Sequence, residues 1–126
     1  MTLWSVLIVD DSPTIRKVVC ELFTRAGDFE VCGEAENGQQ AIEKALDLKP
    51  ALIVTDLSMP VMNGLVATRI LKRLIPEVPI ILYSAHIDGY VEKEALAAGA
   101  WAVVPKSDAL ALLIERSRRL MHDVAA

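Results

Sequence analysis

Five side chains able to handle phosphate and metal each come directly after a short apolar run. Val6-Leu7-Ile8-Val9 stops on Asp10-Asp11, Leu52-Ile53-Val54-Thr55 on Asp56, Ile80-Ile81-Leu82-Tyr83 on Ser84, and Ala102-Val103-Val104-Pro105 on Lys106. Brought together, the carboxylates would repel, at a cost on the order of 4 kcal/mol for two unit charges about 4 Å apart in an effective dielectric of 20. A divalent cation removes that cost. Hard oxygen ligands select Mg²⁺, Mn²⁺ or Ca²⁺, and Mg²⁺ is the ion normally held by one or two carboxylates plus phosphate oxygens. An Asp carboxylate can also act as a nucleophile and form an aspartyl phosphate. Phosphoryl transfer asks mainly for alignment and for neutralisation of the equatorial oxygens. Here a metal in the acidic pocket, the Lys106 ammonium and the Ser84 hydroxyl would provide both. Nothing in the set is an evident general base for turnover on other substrates, which favours a protein that becomes modified over a multiple-turnover enzyme. The plainer alternative, strand-end caps in a polar rim, is common for any single Asp and a poor account of three facing a lysine and a serine.

These groups meet only if the four runs are parallel strands ending at one edge of one sheet. Short Val, Ile and Leu runs without polar alternation are strands buried on both faces, as in a parallel sheet covered by helices. The intervals between them are long enough for the crossover helices that parallel strands require. The expected elements are strands at 5–10, 29–34, 51–56, 79–84 and 101–105, and helices at 13–26, from Gly38 to Lys49-Pro50, 64–75, about 88–98 and 107 to about 122. Ser12 with Pro13 starts the first helix and Gly27 stops it. Asn37-Gly38 opens the second, whose Ala41, Ile42, Ala45, Leu46 and Leu48 follow helical spacing. In the last helix Ser107 is the N-cap, and Leu110, Leu113, Ile114 and Leu120 share one side. Pro105 cannot donate to a ladder, so its strand belongs at the sheet edge. The fold class is α/β, a flavodoxin-like doubly wound five-stranded parallel sheet in the order 2-1-3-4-5 with helices on both faces. In such sheets the ligand crevice lies outside the carboxyl ends of the strands.

Composition narrows the classes further. A chain of 126 residues, 53% hydrophobic, is expected to be one domain over 1–126 with a single core. The net charge of -4 argues against nucleic-acid binding, whose electrostatic footprint is a basic patch. Arg116, Arg118 and Arg119 form a solvated face near a helix C-terminus. Cys20 and Cys32 lack metal-ligand spacing and sit in apolar stretches, as buried free thiols do in a reducing compartment. The N-terminus is a first strand, with no basic region of a signal peptide. No run is long enough to cross a bilayer. The expected location is cytoplasmic.

Val9-Asp10-Asp11, the stretch from Asp56 through Leu57-Ser58-Met59-Pro60-Val61-Met62-Asn63 to Gly64, Ser84-Ala85, Gly99-Ala100 and Lys106, in this order and spacing, resemble the receiver domain of two-component response regulators over nearly the whole chain. The resemblance implies that Asp56 accepts a phosphoryl group from a phosphohistidine on a sensor histidine kinase or a histidine phosphotransfer protein. It implies Mg²⁺ held by Asp11, Asp56 and the backbone carbonyl of Ser58, with Asp10 helping through water. Ser84 would hydrogen-bond one phosphoryl oxygen and shift toward it, and Lys106 would pair with another. The partner downstream would be an output protein or an output domain outside this chain. Two departures stand out. Receivers often carry Tyr or Phe where this chain has Val103, so the usual aromatic relay is missing or rebuilt. Many follow the lysine with proline, whereas here Pro105 precedes Lys106 and Ser107 follows it.

Other positions have two readings. Ser58 and His86, two beyond Asp56 and Ser84, tune phosphate lifetime or lie in solvated loop. Trp101 on an edge strand suits an interface, such as a homodimer through that face, or simple packing. Tyr83 belongs to the core and needs a partner for its hydroxyl. Met59 and Met62 pack the loop. The leading reading is a phosphorylation-biased two-state switch. Its rivals are a Mg²⁺-dependent aspartyl-phosphate phosphatase, which usually has a second Asp where this chain has Ser58, and a receiver-shaped module that is never phosphorylated.

Overall fold

A computed structural model describes residues 2–85, 87–106 and 110–125; His86 and the N-cap expected at Ser107 lie outside it. The five strands are β1 (Trp4–Val9), β2 (Phe29–Ala35), β3 (Leu52–Asp56), β4 (Ile80–Ser84) and β5 (Ala102–Pro105). Between and after them come α1 (Pro13–Ala26), α2 (Gly38–Leu48), α3 (Gly64–Leu74), α4 (Gly89–Ala98) and α5 (Leu110–Ala125). All strand pairings are parallel, in the order β2-β1-β3-β4-β5. This is the doubly wound arrangement expected from the apolar runs, with β5 and its Pro105 at an edge.

Strand alternation sends consecutive residues to opposite faces, and both faces are dry. Val6 and Ile8 join a core with Val19 and Phe23 of α1 and Leu113, Ile114 and Met121 of α5. Leu7 and Val9 join another with Ala41, Ile42 and Ala45 of α2 and Ala67 and Leu71 of α3. Leu82, with partly buried Val103, packs against Ala95 of α4. β2, the other edge, is less apolar because it is less covered. Its register slips beside Val6 and Leu7, leaving Cys32 as the extra residue, with its thiol donating to the Val6 carbonyl at 3.4 Å.

Local signals explain the boundaries. The Ser12 side chain accepts from the Ile15 N–H at 3.3 Å with Pro13 at the first helical position, and Gly27 ends α1 at φ 86°. Asn37, Asn63 and Asp88 cap α2, α3 and α4 by accepting from the N–H groups of Gln40, Val66 and Val91. α5 continues past the expected stop near His122 to Ala125, since neither Gly nor Pro follows to break it.

One expectation needs extending and one correcting. Arg118 is half-exposed, as a solvated face implies, but it is also paired. Its guanidinium donates to Asp28 at 2.8 and 3.2 Å and to the Ala26 carbonyl at 2.8 Å, tying α5 to the turn after α1, while Arg116 and Arg119 stay exposed. Nearby, the Trp4 ring packs edge-on against His122 at 5.0 Å. Cys20 and Cys32 are free, as expected, but only half-buried, because they sit on α1 and on the edge strand β2. Burial still pushes the Cys20 thiol up to about 11, with Glu34 adding to the effect. Among the described residues, no helix is long and apolar enough to cross a membrane.

Candidate phosphoryl-transfer site

The carboxyl ends of β1, β3, β4 and β5 converge on one crevice. β1 delivers Asp10, whose N–H donates to the Ala35 carbonyl at 3.0 Å, extending the ladder one residue past the strand. β3 delivers Asp56, β4 delivers Ser84, and both are buried. Lys106 follows β5, and its N–H donates to the Ser84 carbonyl at 2.7 Å, resuming the ladder just past Pro105, which has no N–H.

Asp10, Asp11 and Asp56 each offer an oxygen within 4.8 Å of the others'. Asp10 and Asp56 are buried and Asp11 is exposed, so the cluster opens to solvent on one side. Three hard oxygen donors at this separation suit a divalent cation of the Mg²⁺ kind, which retains several waters. The Lys106 ammonium lies 3.1 Å from Asp10 Oδ2 and 3.2 Å from Asp56 Oδ2, bridging the two buried carboxylates. Burial pushes the Asp56 carboxyl above the ordinary carboxylate range; Lys106 opposes that, and the Asp10 charge adds to it.

Asp56 is held by its backbone as well. The Thr55 hydroxyl donates to the Asp56 carbonyl at 3.0 Å, and the Gly64 N–H donates to the Leu57 carbonyl at 2.8 Å. A Cβ on Gly64 would stand 2.1 Å from the Asp56 carbonyl oxygen, so only glycine lets α3 start against Asp56. The loop between them contains Ser58, which is exposed, and Met59 and Met62, which pack on the α2–α3 core. Its other anchor is the Gly38 N–H, donating to the Met62 carbonyl at 2.8 Å.

Two residues join the site that sequence reasoning did not put there. The Tyr83 hydroxyl, for which only the need of a partner was legible, donates to Asp10 Oδ2 at 2.6 Å. The Arg16 guanidinium donates to the Asp10 carbonyl at 2.7 Å and pairs with Glu34 at 3.0 Å. Arg16 carried no signal beyond its place one turn after the Ser12-Pro13 cap. Trp101 is half-exposed and lies apart from the acidic cluster, beside Lys72, Leu96 and Gly99 in a cavity of about 240 Å³.

The response regulator receiver domain matches residues 6–118. The chain belongs to the response regulator receiver family. The receiver is 40% identical over 126 residues to a protein-glutamate methylesterase/protein-glutamine glutaminase of Hahella chejuensis, covering 98% of this chain and 32% of that protein. It is 42% identical over 95 residues to the chemotaxis protein CheY of Thermotoga maritima, covering 75% of this chain and 78% of CheY. Among solved structures, the response regulator domain of Thermotoga maritima CheB superposes with a TM-score of 0.89 at 30% identity, over 95% of this chain and 97% of that one. CheY in the CheX-CheY-BeF3-Mg²⁺ complex from Borrelia burgdorferi gives 0.89 at 25% identity, over 94% and 90%. The receiver spans about a third of the length of the methylesterases it matches. It is a receiver domain of two-component signalling, CheY-like in fold.

Proposed function

We propose that Asp56 takes a phosphoryl group from a phosphohistidine on a sensor histidine kinase or a histidine phosphotransfer protein, and that residues 1–126 then switch as one receiver unit. The observation that carries this is the Lys106 ammonium seated between Asp10 and Asp56 above a cluster of three carboxylates. An Asp56 carboxylate oxygen attacks phosphorus, the P–N bond breaks, and the imidazole leaves with the bonding pair. Lys106 turns from the carboxylates toward a phosphoryl oxygen, and the Ser84 hydroxyl donates to another. Asp11, Asp56 and the Ser58 carbonyl would hold Mg²⁺, with Asp10 assisting through water. When bound, the ion neutralises the oxygens of the incoming group.

The chain catalyses its own phosphorylation and dephosphorylation and does not turn over other substrates. It acts in the cytoplasm on an output protein or an output domain. Neither nucleic acid nor membrane is its partner. The exposed Tyr90, Leu96 and Trp101 form the face for that output or for a second copy of the chain. Incubation with acetyl phosphate and Mg²⁺ should add one acid-labile phosphoryl group, and Asp56→Asn should take none. Equal labelling of Asp56→Asn would overturn the assignment. Sustained release of nitrophenol from p-nitrophenyl phosphate would instead make the chain a phosphatase.

A further inference from the structure

Asp10 is 0% exposed and yet sits among other carboxylates, so its charge depends on the donors around it. Among the described residues these are the Ser12 N–H at 2.9 Å on Oδ1, and the Tyr83 hydroxyl at 2.6 Å and Lys106 Nζ at 3.1 Å, both on Oδ2. Tyr83 also touches the lysine, whose ammonium lies 4.8 Å from the centre of the tyrosine ring. The ring is 1% exposed within the α1–α5 core, so the hydroxyl cannot follow a moving partner. A phenol is protonated at neutral pH, so the hydroxyl donates there.

We propose that Tyr83 is a positioning residue that lets Lys106 leave Asp10. The inference rests on the receiver reading above. When Lys106 turns to a phosphoryl oxygen on Asp56, the buried Asp10 Oδ2 loses one of the two donors that the described residues give it. With the Tyr83 hydroxyl still bonded, that oxygen stays satisfied and the handover is cheap. Without it, Lys106 is the only donor to Oδ2 among the described residues, and its leaving takes that oxygen's last donor from them. The hydroxyl therefore sets how readily the lysine answers the phosphoryl group, although it touches neither that group nor Asp56.

The probe is beryllofluoride with Mg²⁺, a phosphoryl analogue, with binding read by the ¹⁹F resonances of the bound fluorides. Tyr83→Phe keeps the ring and removes the hydroxyl, and it should weaken beryllofluoride binding by about tenfold, the scale of one hydrogen bond to a charged group. In a Lys106→Ala background the same change should have no further effect, because the hydroxyl acts through the lysine. A hydroxyl that merely supported the fold would weaken binding equally in both backgrounds, and that additive result overturns the proposal. So does wild-type affinity in Tyr83→Phe alone. In the unsubstituted protein, the side-chain ammonium resonance of Lys106 should move on beryllofluoride binding while the Tyr83 hydroxyl proton stays protected from exchange. Loss of that protection overturns the proposal independently of how the variants fold. Failure of the wild-type protein to bind beryllofluoride would instead remove the receiver reading on which the proposal stands.

Discussion

Asp56 is held in a state that favours its own neutralisation. Its carboxyl is raised above the ordinary value near 3.8, so the folded chain binds that proton more tightly than the unfolded chain. The associated stability is present below the unfolded value and is lost as pH rises through the folded one. At pH 7 the charged group is a net liability, relieved by a cation or by modification. Asp56→Asn should raise the melting temperature of the metal-free protein at pH 7 by roughly 4 °C, the shift for about 1 kcal/mol in a domain of this size. The gain should shrink as pH falls toward about 4, and thermal melts across pH check both points. Asp10, Asp11, Asp56, Ser84 and Lys106 were legible because each ends an apolar run, and parallel strands bring their ends together. Tyr83 was legible only as a core residue. Its target is set by where β1 and β4 lie on either side of β3, a relation that no local pattern carries. The pairing of Arg118 with Asp28 was not legible for a similar reason, since the two are 90 residues apart in sequence.

Among the elements, the connection from β3 to α3 is the most constrained. Val61 sits in it at φ 68° and is 82% exposed. A β-branched residue in the left-handed region carries strain on the order of 1 kcal/mol or more, and at this exposure little packing repays it. Val61→Asn, a residue that tolerates this conformation, should stabilise the fold by about 1 kcal/mol, read as a higher urea midpoint with an unchanged slope. Helix starts were well marked by Ser12-Pro13 and Asn37, whose side chains act on N–H groups three residues on. The far end of α5 was not, because no Gly or Pro stands between His122 and Ala125 to mark a stop. On the output side, Val103 packs partly buried beside Leu82 and has too little side chain to report a shift by rotating. The signal should instead reach α4 and Trp101. Trp101 fluorescence should change on adding beryllofluoride with Mg²⁺ in a Trp4→Phe background. An unmoved signal would point to another output face.

For the molecule as a whole, cation binding and folding are linked, because the three carboxylates are brought within 4.8 Å of one another only when β1 and β3 are paired. Mg²⁺ should therefore raise the melting temperature, by the equivalent of about 2.7 kcal/mol at a hundredfold excess over Kd, and Asp11→Ala should abolish the response. Calorimetry with and without the ion checks this, and an unchanged response in Asp11→Ala would move the ligand role elsewhere. The Arg118 clamp adds a mechanical consequence. α5 is pinned through its C-terminal half by Asp28, the Ala26 carbonyl and the Trp4–His122 contact, on the turn after α1, while its first residues follow closely on Lys106. The clamp is a fulcrum at this end of α5, while the burial of Leu113 and Ile114 binds the other half into the same core. Because Arg118 holds the Asp28 carboxyl below its usual range, that fulcrum gives way only in acid, at a pH lower than a free carboxylate would need.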